Sequence, residues 1–236
     1  MRKIIMFALW LFVPAVLLAY HYGPGQTRLA MDRAAKKIAE ARASEAQEDW
    51  KAAYQTWGEA LAATPPDQTK PRMQLRLSQA RTRMYTGDLP EAMKDMADLL
   101  AEAQHEKADA NLQREIRGTL GSAQYYAAWL MRLEGATTEE WILPVESARQ
   151  NFRLLAENTK EAKSAEDYQK NLEAAIRLER MSLDELQIQP LPKCCSGCKN
   201  VSQKCRSQCQ SKAETKAEDK KDARGAGFND VPKGGS

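Results

Sequence analysis

Histidine, glycine-rich loops and runs of β-branched residues are what this sequence has least of. Its two histidines among 236 residues, His21 and His105, stand far apart, so no histidine-based acid–base pair is evident. No glycine-rich phosphate loop occurs and no serine sits in a nucleophile elbow. Carboxylates are plentiful but follow helical solvent faces, and the chain therefore reads as non-catalytic. Neither sign of charge dominates: Lys+Arg 35 against Asp+Glu 32 leaves +3, too little to drive nucleic-acid or membrane-surface binding by itself. What surplus there is belongs to the tail, where ten basic and five acidic residues follow from Lys193 onward.

The amino terminus is the one long apolar run. Arg2 and Lys3 precede an uncharged stretch from Ile4 to Tyr22, whose 19 residues reach about 28 Å as a helix, close to the roughly 30 Å hydrocarbon core of a bilayer. A cleavage site after Leu17-Leu18-Ala19 would put leucine where a small residue is usual, so residues 1–25 are expected to stay as a signal-anchor. Arg2 and Lys3 favour a cytoplasmic amino end and an extracytoplasmic remainder; Arg28, Arg33, Lys36 and Lys37 argue mildly the other way.

From residue 26 to 188 the composition favours helix nearly throughout, rich in Ala, Leu, Glu, Lys, Arg and Gln, and no convincing strand appears. The fold class expected is all-α. Breaks fall at Thr64-Pro65-Pro66, Thr86-Gly87-Asp88, near His105, at Gly135-Ala136-Thr137, around Asn158 and at Pro190 to Pro192, leaving about seven helices. Asp88 with Glu91, Ser164 with Asp167 and Thr137 with Glu140 have capping spacing. Pro144 follows Thr137 too closely for an undisturbed helix, which predicts a short turn over 138–142 and a new helix near Pro144. Residues 189–210 form a cysteine-bearing segment, and 211–236, with almost no apolar content, are expected to be disordered.

Two stretches share a plan. In "EDWKAAYQTWGEALAATPPD" the residues Trp50, Ala53, Trp57, Ala60 and Leu61 recur at the spacing of Leu89, Ala92, Met96, Leu99 and Leu100 in "TGDLPEAMKDMADLLAEAQ". Each is preceded by a helix with a small residue twelve before the alanine, Ala41 and Ala80, and an apolar one three earlier, Ile38 and Leu77. Small residues let paired helices approach while large ones fill the groove beside them.

This pattern resembles the tetratricopeptide repeat over about residues 34–103, with a weaker third unit in which Ala148 and Phe152 echo Ala53 and Trp57. Pro65 stands where the family often has a proline. The departures are a spacing of 39 between Ala53 and Ala92 where the family's period is 34, and Gln79 and Arg83 at positions usually apolar. The resemblance implies stacked helical hairpins, a short α-solenoid, whose first helices line a concave face for a protein or peptide partner. A generic antiparallel bundle would use similar spacing without a groove. Arg81 and Tyr85 then become the candidate partner-binding residues, or else part of an ordinary solvated face. Tyr125, Tyr126 and Trp129 could be offered to a ligand, although at helical spacing they belong to a core.

All five cysteines lie in "KCCSGCKNVSQKCRSQCQ". As one helix, Cys194, Cys198, Cys205 and Cys209 would share a stripe within about 60°, with Cys195 at its border, but the stripe would run about 22 Å, too long for one metal. If the chain turns near Lys199-Asn200, Cys195, Cys198, Cys205 and Cys209 could surround a zinc ion. Export favours disulfides, and the odd number invites a disulfide-linked oligomer. Lys193, Lys199, Lys204 and Arg206 would lower the thiol pKa values and favour either chemistry. Two functions follow: a membrane-anchored extracytoplasmic scaffold, or a metal-handling or thiol-redox protein working through the tail.

Overall fold

A computed structural model describes residues 2–22 and 24–189, and among them nine α-helices follow one another with no strand: α1 (Arg2–Tyr22), α2 (Pro24–Ala46), α3 (Trp50–Ala63), α4 (Thr69–Tyr85), α5 (Leu89–His105), α6 (Ala110–Glu134), α7 (Thr138–Asn158), α8 (Ala162–Arg180) and α9 (Leu183–Ile188). The cysteine segment and the tail lie outside the described residues. In α1 the described side chains are Met6, Trp10, those at 12–18, Tyr20 and Tyr22, and the remainder of the apolar run is likewise outside them. Among the described residues no helix is long and apolar enough to cross a membrane, so the expected transmembrane span is not carried by them.

Each helix from α2 to α8 packs chiefly on the next one along the chain, which makes a row of antiparallel hairpins. Next-but-one contacts join α4 to α6 and α6 to α8, while α3, α5 and α7 make no comparable contacts with one another. Helices α4, α6 and α8 thus form the more crowded layer, to which α2 is joined by the bond from the Thr82 hydroxyl to Glu45, and α3, α5 and α7 the splayed one. If such a two-layer stack bends toward its crowded side, the even-numbered helices are the ones that would line a concave face.

The core falls into three clusters linked along this row because α4 and α6 each bury two faces and contribute to two clusters apiece. Leu75 of α4 joins Ala41 of α2 with Trp57 and Ala60 of α3, whereas Met73, Leu77, Ala80 and Met84 pack with α5 and α6. In α6, Leu112, Ile116, Leu120, Ala123 and Ala127 meet α4 and α5, and Tyr125, Ala128, Trp129 and Leu133 meet α7, α8 and α9. Close approach rests on small residues: Ala41, Ala53, Ala60 and Ala92 are fully covered, as are the large Met96 and Phe152 beside them. Tyr125, Tyr126 and Trp129 are buried, so all three are core and offer nothing to a ligand.

Several local expectations change on contact with the tertiary structure. Helix α7 runs unbroken through Pro144 from a capping box in which Thr137 and Glu140 bond reciprocally, so no turn interrupts 138–142. Pro144 removes only the bond that its N–H would give to the carbonyl of Glu140. The first turns are held instead by Trp141, whose ring lies 4.5 Å from the Arg132 guanidinium, and by Ile142 against the core. Asp88 does precede α5, but its carboxylate takes the Arg83 guanidinium at 2.6 Å rather than capping. Helix α8 begins at Ala162, two residues before the expected Ser164, whose hydroxyl donates to Glu161. An additional break before α9 is made by the Ser182/Glu185 capping box, with no Gly or Pro to announce it. His105 ends α5 rather than lying in a loop.

Helices α6 and α7 touch at Gly121, where an added Cβ would lie 3.0 Å from Cε1 and 3.2 Å from Cζ of the buried Phe152. At Gly118 an added Cβ would meet Tyr168 at 3.4 Å, an ordinary contact. Gly121→Val should cost about 1–3 kcal/mol through overpacking. Gly118→Ala should change stability by under about 1 kcal/mol, because better helix propensity offsets the tighter contact. Urea denaturation midpoints of the two variants check this ordering.

Candidate functional site

The more crowded layer offers a surface wherever its helices are not covered by neighbours, and the contacts of α4 map that surface. At about 100° per residue, with Ala80 at zero, Met73, Leu77 and Met84 fall near 20–60° toward α5 and α6. Arg76 and Arg83, which pair with Glu102 and Asp95 of α5, fall near 300–320°. Gln79 and Arg72, which donate to backbone carbonyls of α3 and of Thr64, fall near 260–280°, and Thr82, bonded to Glu45 of α2, near 200°. The uncovered arc, about 80–180°, carries Gln74, Ser78, Arg81 and Tyr85.

Arg81 and Tyr85 therefore share one arc but differ in freedom. Tyr85 is half-buried and stacks on Trp50, ring centroids 4.2 Å apart and planes 17° apart, so its ring is committed to the start of α3. Arg81 is half-buried and has no hydrogen-bond or ion-pair partner among the described residues. Arg42 of α2, one residue beyond Ala41 as Arg81 is one beyond Ala80, is exposed and equally without a partner among them. The repeat spacing of 39 that relates Ala53 to Ala92 also relates Arg42 to Arg81, and applying it to charged positions would have found Arg42 from the sequence.

Polar side chains fix the frame around this surface. The Glu45 carboxylate on α2 accepts from the Trp57 indole N–H of α3 at 2.8 Å and from the Thr82 hydroxyl of α4 at 2.6 Å, through the same oxygen. Three helices meet at one atom. Gln79 and Arg83, polar where the repeat pattern is usually apolar, make inter-helix contacts too: the Gln79 amide lies over Gly58 and donates to the Tyr54 carbonyl, while Arg83 bridges Asp88 and Asp95 and sits 5.9 Å from the Tyr54 ring. Those two carboxylates raise the Arg83 pKa. Farther along, Arg132 of α6, 8% exposed, donates to the carbonyls of Leu178 and Met181. It thereby satisfies the end of α8, where the helix dipole favours a cation.

An open hollow of about 560 Å³ lies between α8 and α9, lined by Ile176, Arg177, Arg180, Met181, Glu173 and Glu185. Its two arginines are matched by two carboxylates, so it favours neither sign of ligand. No cluster of His, Cys, Asp or Glu able to hold a metal occurs among the described residues. The zinc and disulfide candidates Cys194, Cys195, Cys198, Cys205 and Cys209 lie outside them.

Two measurements test this frame. Glu45→Ala leaves the Trp57 indole N–H without its acceptor, while the Thr82 hydroxyl can still donate to the Ser78 carbonyl at 2.9 Å. The change should cost about 1–3 kcal/mol, with Glu45→Gln costing less because it keeps an oxygen there; denaturant midpoints read both. Asp109 caps α6 by accepting from the N–H groups of Asn111 and Leu112, which hold its pKa below the usual carboxylate value. A depressed folded-state pKa means its stabilisation is whole above about pH 3.9 and fades as pH falls through the lowered value. The stability gap between the parent and Asp109→Ala should accordingly be flat from neutral pH to about 5 and close below about 4.

No protein-family model, curated protein or solved structure matches this chain, so its function is argued from this surface.

Proposed function

We propose that this protein is a non-catalytic scaffold, held at a membrane by α1 and presenting the concave face of tetratricopeptide-like hairpins to a protein or peptide partner on the extracytoplasmic side. The observation that carries the reading is the uncovered arc of α4, a row of polar side chains on the more crowded layer of the helical stack, with Arg81 left without a partner among the described residues. An even-numbered helix in mid-stack would normally satisfy its cations against neighbours, as Arg76 and Arg83 do here. A half-buried guanidinium left over on a concave face is suited to a group brought by another molecule.

The anchor rests on α1. Its 21 residues reach about 31 Å as a helix. Met6, Trp10, Phe12, Leu17 and Tyr22 are each more than 60% exposed, and its contact with α2 is slight. Large apolar side chains without a protein cover are satisfied by acyl chains, and Arg2 and Lys3 lead the run on the side that stays with the cytoplasm.

Full-length protein carrying a photoreactive residue at Gln74 or Ser78 should give adducts with another protein in membranes of the producing cells, and the same residue at Lys94 of α5 should give few. Equal labelling from both layers, or none from α4, overturns the scaffold reading. Removal of residues 1–25 should release the protein from carbonate-washed membranes, and retention there would overturn the anchor.

A further inference from the structure

Charge is divided between the two layers of the stack. Helices α2, α4, α6 and α8 carry 17 Lys and Arg against 9 Asp and Glu, while α3, α5 and α7 carry 4 against 9. Helix α4 alone has Lys70, Arg72, Arg76, Arg81 and Arg83 and no carboxylate. Much of this surplus is spent inside the molecule, since Arg72, Arg76 and Arg83 bind carbonyls or carboxylates of α3, α5 and the neighbouring loops. Among the cations with no partner within the described residues, Arg42 and Arg81 stand at repeat-equivalent positions on α2 and α4.

We infer that the segment this face takes is acidic, seated across α2 and α4 with its carboxylates on Arg42 and Arg81. The inference rests on the scaffold reading and deepens it by naming the partner's chemistry. The Thr82 hydroxyl of α4 donates to Glu45 of α2 at 2.6 Å, one residue from Arg81 and one helical turn from Arg42, so the two arginines flank a point where α2 and α4 meet and can be reached by carboxylates of one segment. Each can hold a carboxylate in bidentate fashion, and half-burial of Arg81 strengthens its bond over one in open water. Ser78 and Gln74, on the same arc, add hydroxyl and amide groups that bond backbone without choosing charge.

Two other occupants fit less well. The chain's own tail carries ten basic and five acidic residues from Lys193 and would be repelled. Anionic headgroups would have to reach Arg42, which lies 18 residues along α2 from Pro24, about 27 Å from the α1 junction and well beyond the roughly 8 Å screening length at physiological salt.

The test uses full-length protein in neutral detergent and a short fluorescent Glu/Ala peptide, with its Lys/Ala counterpart as control, read by anisotropy at two ionic strengths. The acidic peptide should bind, the basic one should not, and added salt should weaken the complex. R42E/R81E should weaken binding at least about tenfold, R42Q/R81Q by less, and K94E on the acidic layer hardly at all. Circular dichroism of each variant separates loss of binding from loss of fold. The inference is overturned if the acidic peptide does not bind, if it binds R42E/R81E as well as the parent, or if vesicles of anionic lipid bind through these arginines and the peptide does not. Should photoadducts from Gln74 or Ser78 persist while the acidic peptide fails, the scaffold reading stands and only the partner's charge was wrong; absence of adducts removes both.

Discussion

Everything in this molecule depends on how near two helices can come. Ala41 and Ala53 in the first hairpin and Ala80 and Ala92 in the second are small and fully or nearly covered, Gly121 of α6 leaves room for the Phe152 ring of α7 and Gly118 for the Tyr168 ring of α8, and the bulk of Trp57, Met96 and Phe152 fills the space beside these residues. Each such large side chain, fully covered, contributes about 1.5–3 kcal/mol through burial. Because α4 contributes to two of the three hydrophobic clusters and α6 to two, these helices are buried on two faces and tie the clusters together along the row. The uncovered surface is what remains of those helices once both contacts are made.

Apolar packing alone would leave the hairpins free to slide. Polar side chains between helices oppose this. Glu45 gathers α2, α3 and α4 at one carboxylate oxygen, Arg83 ties α4 to α5 and to the turn between them, Arg149 joins Glu179 across α7 and α8, and Arg132 closes the end of α8. Most are partly exposed and therefore contribute register more than net stability. Glu45 and Arg132 are more enclosed, and an unmet donor there would carry its desolvation cost. Since these links consume cations of the more crowded layer, Arg42 and Arg81, which are among the residues they leave over, acquire their meaning by subtraction.

The sequence made the helical class, most of the breaks and the first two hairpins legible. Gly135 ends α6 with φ of 82°, a left-handed conformation that glycine adopts without strain, and Gly87 turns between α4 and α5 at 91°. Such positions announce themselves because the requirement is local. The misjudged ones depend on distant partners. Pro144 continues a helix because Trp141 and Ile142 are held from outside it, Asp88 forgoes capping because Arg83 is nearer, and the start of α8 is shifted by Glu161 rather than by Ser164.

What the sequence determined by itself is the periodic placing of small and large side chains, which commits the chain to paired helices, and the repeat interval that puts an arginine after Ala41 and again after Ala80. Of the close-packed alanines of the first two hairpins, only these two are followed by arginine, and that recurrence, like the rest, is a property of spacing written along the chain. The tertiary structure alone decided which cations are spent: nothing in the order of residues says that Arg83 meets Asp95, that Tyr85 lies against Trp50, or that Arg81 has no partner among the described residues. Pairing is set by which faces of separate helices come together, and that depends on the angles and offsets of packing, quantities fixed only when the whole row of helices has closed on itself.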